Sequence, residues 1–246
     1  MTEYSYIGKG KVFLANRLDG KLRFVGNSDK VELSFTEETK KLKDFTQAGG
    51  GVANSVSRID KVEVGLNLFD YSPENLALAV FGQSNIISAG NVKGECHTVF
   101  KGHLARLQHS HISKVIVKDD IDGTIYQEGS DYEVLNSGII ILEKGKVEDN
   151  SAVTIDYDYG ASDVIQALVN SGDEYRFVFD GLNEAQSGKK VVLEIYRVKF
   201  TPAASLSFVG DDFGNIEITG TALSDNAKTG SGVSRYFKVE MEQANA

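Results

Sequence analysis

The chain has 246 residues, 41% of them hydrophobic, and 26 Lys and Arg against 35 Asp and Glu, a net charge of −9. That apolar content supports a sizeable core, and the acidic balance disfavours tight, phosphate-driven binding to DNA or RNA. The single Cys96 excludes an internal disulfide framework, "MTEYSYIGKGKVF" lacks the pattern of a signal peptide, and the longest apolar run, "SGIIIL", is too short for a bilayer, so a soluble chain made in a reducing cytoplasm is expected.

The ends, "MTEYS" and "EQANA", read as loose. Val31, Leu33 and Phe35 alternate with Glu32 and Ser34, and Val62, Val64, Leu66 and Leu68 alternate with Lys61, Glu63 and Asn67, which predicts two half-buried strands. Between them, 36–58 carries charge, the run Gly49, Gly50, Gly51 and little periodicity, and is expected to be a long mobile loop. "SPENLALAVFG" then reads as a short helix, with Ser72 as N-cap, Pro73 at the first helical position and Gly82 as a positive-φ stop. Leu76, Ala77, Ala79 and Val80 give it an apolar stripe.

"ECHTVF" and "HLARLQH" are expected to form a hairpin closed around Lys101 and Gly102. Residues 113–159 read as an inserted β-meander with turns at Asp122–Gly123 and 136–138, dividing the chain into a main domain, 1–112 with 160–246, and an insert. "SDVIQALVNSG" is expected to be a second helical turn. In "KKVVLEIYRVKF" Leu193 and Ile195 fall on one parity while Tyr196, Val198 and Phe200 fall on the other, which predicts a bulge or burial on both faces. Clean alternation returns at Ile216–Glu217–Ile218 and in "RYFKVEME", where Phe237, Val239 and Met241 oppose Lys238, Glu240 and Glu242.

Local signatures of catalysis depart from their templates. "GLNEAQSGKK" has Asn183 in place of the first glycine of a phosphate loop and Lys190 in place of its hydroxyl residue, and it reads as a hairpin loop. "KDDIDG" puts Lys118 at the first ligand position of a calcium loop and Gly129 at the bidentate one, and it reads as a turn. Cys96 and the four histidines, His97, His103, His109 and His111, share one segment, but their spacing matches no standard zinc pattern. No enzyme activity, metal or cofactor is expected.

The order of these elements resembles the tail tube proteins, or major tail proteins, of long-tailed bacteriophages. "KVFLA" and "LRFVGNSDKVELSF" look like that family's opening strands, 36–58 like its long charged loop, and "DYSPENLALAVFGQ" like its single helix. The stretch from "YRFVFDG" to "ITGTALSD" resembles its closing strands most closely. The resemblance implies a mainly-β, sandwich- or barrel-like fold with one flanking α-helix. It further implies six copies closing into a ring and rings stacking into a hollow tube in a virion, through which DNA passes without specific binding. The other tail proteins, namely tape measure, tail tip and terminator, would be partners, with no membrane involved.

On that reading Glu37, Glu38, Lys40, Lys41, Lys43, Asp44 and Gly49 to Gly51 are candidates for contacts between rings. Glu63, Glu217, Glu240 and Glu242, each on the polar side of a strand, are candidates for an acidic lining of the bore. The insert would decorate the exterior. A different class, a β-sandwich module binding a receptor or carbohydrate, has only Tyr126, Tyr132, Tyr157 and Tyr159 to suggest it, and these read more simply as packing of the insert, in a chain without Trp.

Overall fold

The structure is a computed structural model that describes residues 4–170 and 172–243. The loose ends expected at "MTEYS" and "EQANA" lie partly outside the described residues. Strand makes up 54% and helix 4% of the chain, so the fold is mainly β with one short helix, as the alternation predicts. In chain order the strands are β1 (Gly8–Asn16), β2 (Arg23–Phe24), β3 (Ser28–Lys43) and β4 (Val52–Leu68), followed by helix α1 (Pro73–Ala79). Then come β5 (Gln83–Ile87), β6 (Gly90–Val99), β7 (Leu104–Arg106), β8 (Ile112–Asp119), β9 (Tyr132–Leu135), β10 (Gly138–Ile141), β11 (Ser151–Tyr159) and β12 (Ser162–Gln166). The chain closes with β13 (Glu174–Asn183), β14 (Lys189–Phe200), β15 (Ile216–Ala222) and β16 (Phe237–Met241).

Two compact units result: a large one, 1–83 with 165–246, and a small one, 84–164. The large unit is one antiparallel sheet in the order β2-β1-β13-β14-β15-β4-β3, with β16 also on β14. Strand β14 holds β13 along one edge, while its other edge holds β16 over Val191–Ile195 and β15 over Val198–Phe200. Between Tyr175 and Phe177 of β13 the register drops from Val198 to Ile195, so β14 carries one extra residue there. That bulge switches the parity of its inward side chains, which accounts for the mixed alternation of this stretch. Burial on both faces contributes as well, because Glu194 is buried opposite Ile195.

The core draws on both wings of the forked sheet: Val12, Leu14, Phe177 and Ile195 from one, Val64, Leu66, Leu68, Ile216 and Ile218 from the other. The wings therefore face each other across one apolar layer, in the manner of a sandwich. Helix α1 adds Leu78 and Ala79 to that layer. Its start matches the sequence signals: Ser72 accepts from the Asn75 N–H and Pro73 opens the first turn. Its end differs, because the positive-φ residue is Phe81, at 50°, and not Gly82. The last helical carbonyls are still capped by that turn, Ala77 O accepting from Gly82 N–H at 2.7 Å and Leu78 O from Phe81 N–H at 3.4 Å, and past the helix Val80 O accepts from Leu168 N–H and Phe81 O from Asn170 N–H, each at 2.9 Å. Asn170 Nδ2 donates to Gly82 O at 2.9 Å as well. The stretch read as a second helical turn supplies these donors, and it is strand β12 followed by turns.

The small unit holds two three-stranded sheets, β7-β10-β9 and β6-β11-β8, around Val99, Leu107, Val117, Ile139, Ile141 and Ile155. It begins at Ser84 rather than Ser113 and ends at Val164 rather than Tyr159. The reason is pairing: β6 lies along β11 from Val99↔Ser151 to Gly90↔Tyr159, so residues assigned to the main domain complete the small unit's sheet. The expected hairpin around Lys101 and Gly102 is a turn with Gly102 at φ 70°, but its arms go to different sheets, β6 to β11 and β7 to β10. Nor is the rest a simple meander, since β8 pairs with β11 while β9 and β10 form a local hairpin. Strands β5 and β12, which carry the chain into and out of the small unit, pair as a two-stranded sheet.

Candidate functional site

The segment expected to be a mobile loop is a pair of hydrogen-bonded strands. Strands β3 and β4 pair from Ser28↔Leu68 to Lys43↔Val52, so residues 36–58 are mostly the far end of one long hairpin. β15 accompanies β4 only over Glu63–Leu68, so beyond Phe35 and Val62 the hairpin runs on as a two-stranded ribbon. At about 3.3 Å per residue the ribbon reaches roughly 25 Å from Thr36 to Lys43. The sequence lacks period-two apolar alternation here because neither face of the ribbon is covered; backbone pairing holds it, helped by Thr39 Oγ1 and Ser57 Oγ at 2.9 Å.

At the tip, Asp44 Oδ1 accepts from Thr46 N–H at 2.8 Å and from Thr46 Oγ1 at 2.6 Å. The Thr46 hydroxyl and amide hold the Asp44 carboxyl below its ordinary value. Asp44 N–H donates to Gly51 O at 2.8 Å, closing the turn. Gly49 and Gly50 have φ of 98° and 20°, and a Cβ on Gly50 would meet Asp44 O at 2.7 Å. The triple glycine therefore serves a tight, fixed tip. Of the residues expected to pair between rings, Asp44 is engaged within the chain and Glu38 sits 3.9 Å from Lys40. Glu37, Lys41 and Lys43 are exposed on the ribbon. Sequence reasoning missed its apolar side chains: Leu42, Phe45, Val52, Val56 and Ile59 are all exposed, Phe45 at 83%. Their signal was apolar residues scattered through a polar stretch.

The four acidic candidates lie away from the core on the outer faces of the two opposing wings, Glu63 and Glu217 on that of β4 and β15, Glu240 on that of β16 with Glu242 just past its end. Glu63 lies opposite Ser34 and Thr221, and Glu217 opposite Asn67. Three of the four stand beside a lysine: Glu63 at 2.7 Å from Lys61, Glu217 at 3.4 Å from Lys30, and Glu240 at 2.5 Å from Lys238. Glu242 Oε2 accepts from Lys190 N–H at 2.9 Å. Both outer faces are thus mixed in charge.

Two further features belong to the large unit. Between the inner faces of β16 and β3 the wings stand apart and leave a cleft of about 950 Å³, walled by Val31, Leu33, Phe179, Leu193, Val239 and Met241. Val239 and Met241, expected on a buried face, are 51% and 58% exposed because the opposing wing does not extend over them. The connection from β14 to β15 carries Phe208, Val209 and Phe213 at 77%, 94% and 93% exposure. Tyr71 Oη lies within hydrogen-bond distance of Asn215 O at 3.0 Å and Ser207 O at 3.2 Å and shares its one proton between them, and Phe208 sits edge-on to Tyr71 with centroids 6.5 Å apart.

The small unit brings part of the Cys/His segment together without building a metal centre. His97 Nε2 is 2.7 Å from Glu95 Oε1, His103 Nδ1 contacts Lys101 O, and the His109 ring stacks on Tyr159 at 3.8 Å. Among the described residues no group of three His, Cys, Asp or Glu side chains is placed to hold a metal ion. Glu95 also accepts from Tyr157 Oη at 2.5 Å and Gln108 N–H at 2.9 Å. Burial pushes its carboxyl up, but these hydrogen bonds and that from His97 leave it below the ordinary value. Burial, then the bond to Glu95, pushes the Tyr157 phenol up to about 12. Tyr126, Tyr132 and Tyr157 are buried in the core and Tyr159 lies under His109, so these tyrosines pack the unit and form no binding platform.

The phosphate-loop-like segment is the hairpin loop between β13 and β14, with Asn183 Oδ1 accepting from Ile7 N–H at 2.9 Å and Ala185 N–H at 3.2 Å. "KDDIDG" is a turn in which Asp119 Oδ1 accepts from Ile121 and Asp122 N–H. No helix among the described residues is long and apolar enough to cross a membrane. Over residues 5–240 the chain matches, and belongs to, a family described as protein of unknown function UCP028589. No curated protein matches it.

Proposed function

We propose that this member of a family of unknown function is a structural subunit, not an enzyme, which assembles with copies of itself into stacked hexameric rings forming a phage tail tube. The observation that carries the reading is the β3–β4 ribbon. A two-stranded ribbon with both faces in water is marginally stable alone, and this one exposes Leu42, Phe45, Val52, Val56 and Ile59. Such an element gains its cover from a neighbour, and a neighbouring ring supplies one at every position of a stacked tube. Lys41, Lys43 and Glu37 then pair across the ring boundary, while the Asp44 turn keeps the tip in shape. The resemblance of the strand order to tail tube proteins supports the same reading.

In the tube, the bore is lined by one outer face of the sandwich, that bearing Glu63 and Glu217 or the opposite one bearing Glu240 and Glu242. Lysines beside three of these carboxylates reduce its net repulsion, so the lining works by offering passing phosphate no basic track. Only charges within about 8 Å of the wall are felt at physiological salt. The protein resides in the virion after synthesis in the host, with the other tail proteins as partners.

Light scattering and negative-stain microscopy of the purified chain test this reading. Rings or tubes are expected as concentration rises. A monomer at every concentration and salt, or tight salt-sensitive DNA binding, would overturn it.

A further inference from the structure

The two outer faces of the large unit differ in composition. On the side of β15, β4 and β3, register sets Thr219 beside Gly65, Glu217 beside Asn67, and Glu63 between Thr221 and Ser34. From Lys30 to Thr36 and from Lys61 to Asn67, no outward position holds an apolar side chain. The lysines here are engaged by carboxylates of the same face: Lys30 lies 3.4 Å from Glu32 and from Glu217, and Lys61 lies 2.7 Å from Glu63.

The face on β1, β13, β14 and β16 is of another kind. Lys9 and Lys190 flank Leu182 across the strands, and Lys11 follows Lys9 on the same side of β1. None of these three lysines forms an ion pair among the described residues. Phe24, paired with Phe13, stands at the edge of the same face and is 50% exposed, with Lys11 Nζ 5.9 Å from its ring centroid.

We infer that the outer face of β15, β4 and β3 is the wall of the bore, past which the polyanion slides, and that the face of β1, β13, β14 and β16 is turned away from it. The inference rests on the tube reading and decides between its two walls. Water meets both the inside and the outside of a tube, so exposure does not choose between the faces. The chemistry of DNA does. A duplex gains affinity from each phosphate that meets an available Lys or Arg, and Lys9, Lys11 and Lys190, repeated around a ring, would build a basic track. On the other face two lysines stand against three carboxylates that hold them, which leaves a slightly negative wall of hydroxyls and ion pairs with nothing to grip phosphate. Continuity points the same way. β3 and β4 leave this face to become the ribbon, so the strands of the wall carry on into the element that spans the ring boundary. The opposite face ends at the short loop 184–188.

The test sets one thiol on each face in a Cys96→Ser background, Thr219→Cys on the first and Lys11→Cys on the second, and treats assembled tubes with a gold-cluster maleimide. Electron microscopy should show gold along the tube axis for Thr219→Cys and none on the axis for Lys11→Cys. The Thr219→Cys thiol should react with a small maleimide in tubes within about threefold of its rate in the free chain, because access governs labelling. Thr221→Cys and Lys9→Cys repeat the comparison at a second position on each face, so that one substitution that blocks assembly does not decide the result.

Gold on the axis from the Lys11→Cys or Lys9→Cys chain overturns the inference and leaves the self-assembly reading standing. So does gold off the axis from Thr219→Cys, or a Thr219→Cys thiol that assembly shields from the small label. A parent chain that forms neither rings nor tubes overturns both.

Discussion

In the small unit the strands close over their own core, and its inward polar groups are answered locally. Glu95 receives Tyr157, His97 and Gln108, and the buried Asp131 receives the Gln127 and Lys146 N–H groups at 2.9 and 2.8 Å. Its most exposed apolar side chains are Ile121 and Ile125 at one turn and Ile86 on β5. The large unit has as well ordered a core but stops short of covering itself, leaving an uncovered ribbon, an open cleft and an aromatic loop. A folded unit that keeps several apolar surfaces in water is incomplete in a way its own chain does not remedy. On the proposed self-assembly reading, the contrast puts the contacts between copies on the large unit.

The sharpest break of that contrast is removal of the ribbon. Replacing 38–58 by Asn-Gly joins Glu37 to Ile59 through a two-residue turn at a position where they already pair. Assembly by light scattering should be lost altogether while circular dichroism and melting stay close to those of the intact chain. A truncated chain that still forms normal tubes would show that the ribbon is not the stacking element.

Core substitutions should separate the units. Phe177→Ala in the large unit and Ile155→Ala in the small one each empty a fully buried site, at a cost of about 3–5 and 2–5 kcal/mol respectively. Calorimetry should show each variant lowering one transition and sparing the other. If both transitions fall together in either variant, the small unit does not stand alone.

Alkaline pH should weaken the small unit more than the large one, where burial also raises the Tyr175 phenol. Burial first, then bonds to Asp119 and Glu95, raise the Tyr126 and Tyr157 phenols from 10 to about 12. A proton held more tightly in the fold is stability fully present below pH 10 and lost as pH rises from about 10 to 12. Tyr126→Phe with Tyr157→Phe should flatten that loss. An equal alkaline loss in the large unit, monitored by its own transition, would contradict the assignment.

The smallest effect is expected on the mixed-charge face. Glu63→Gln removes an exposed pair with Lys61 and should leave the melting curve nearly unchanged. A greater loss would mean that this face is covered, not open as described.

Much of the architecture was legible in local pattern. Alternation at Val62 to Leu68 and at Ile216 and Ile218 marked core strands, because one face of each meets the apolar layer and the other meets water. Ser72 and Pro73 marked the start of α1, because capping is settled within one turn of chain. Where the reading failed, the decisive partner was distant. Glu95 and His97 take inward positions of β6, so that strand showed no apolar alternation, and only its pairing with β11 placed the small unit's boundary at Ser84. Past α1 Gly82 serves a close approach and not a positive φ, since a Cβ there would meet Gln166 O at 2.6 Å, and that neighbour comes from the far side of the small unit in sequence. The ribbon was hidden for the opposite reason: with nothing packed on either face it carries no periodicity, and backbone hydrogen bonds between β3 and β4, which composition does not encode, make it a strand pair. By itself, then, the sequence determined a mainly-β chain, its core strands and its one helix. Tertiary structure alone decided which strands belong to which unit and which apolar surfaces stay open, because both depend on where a strand ends relative to a neighbour remote in the chain.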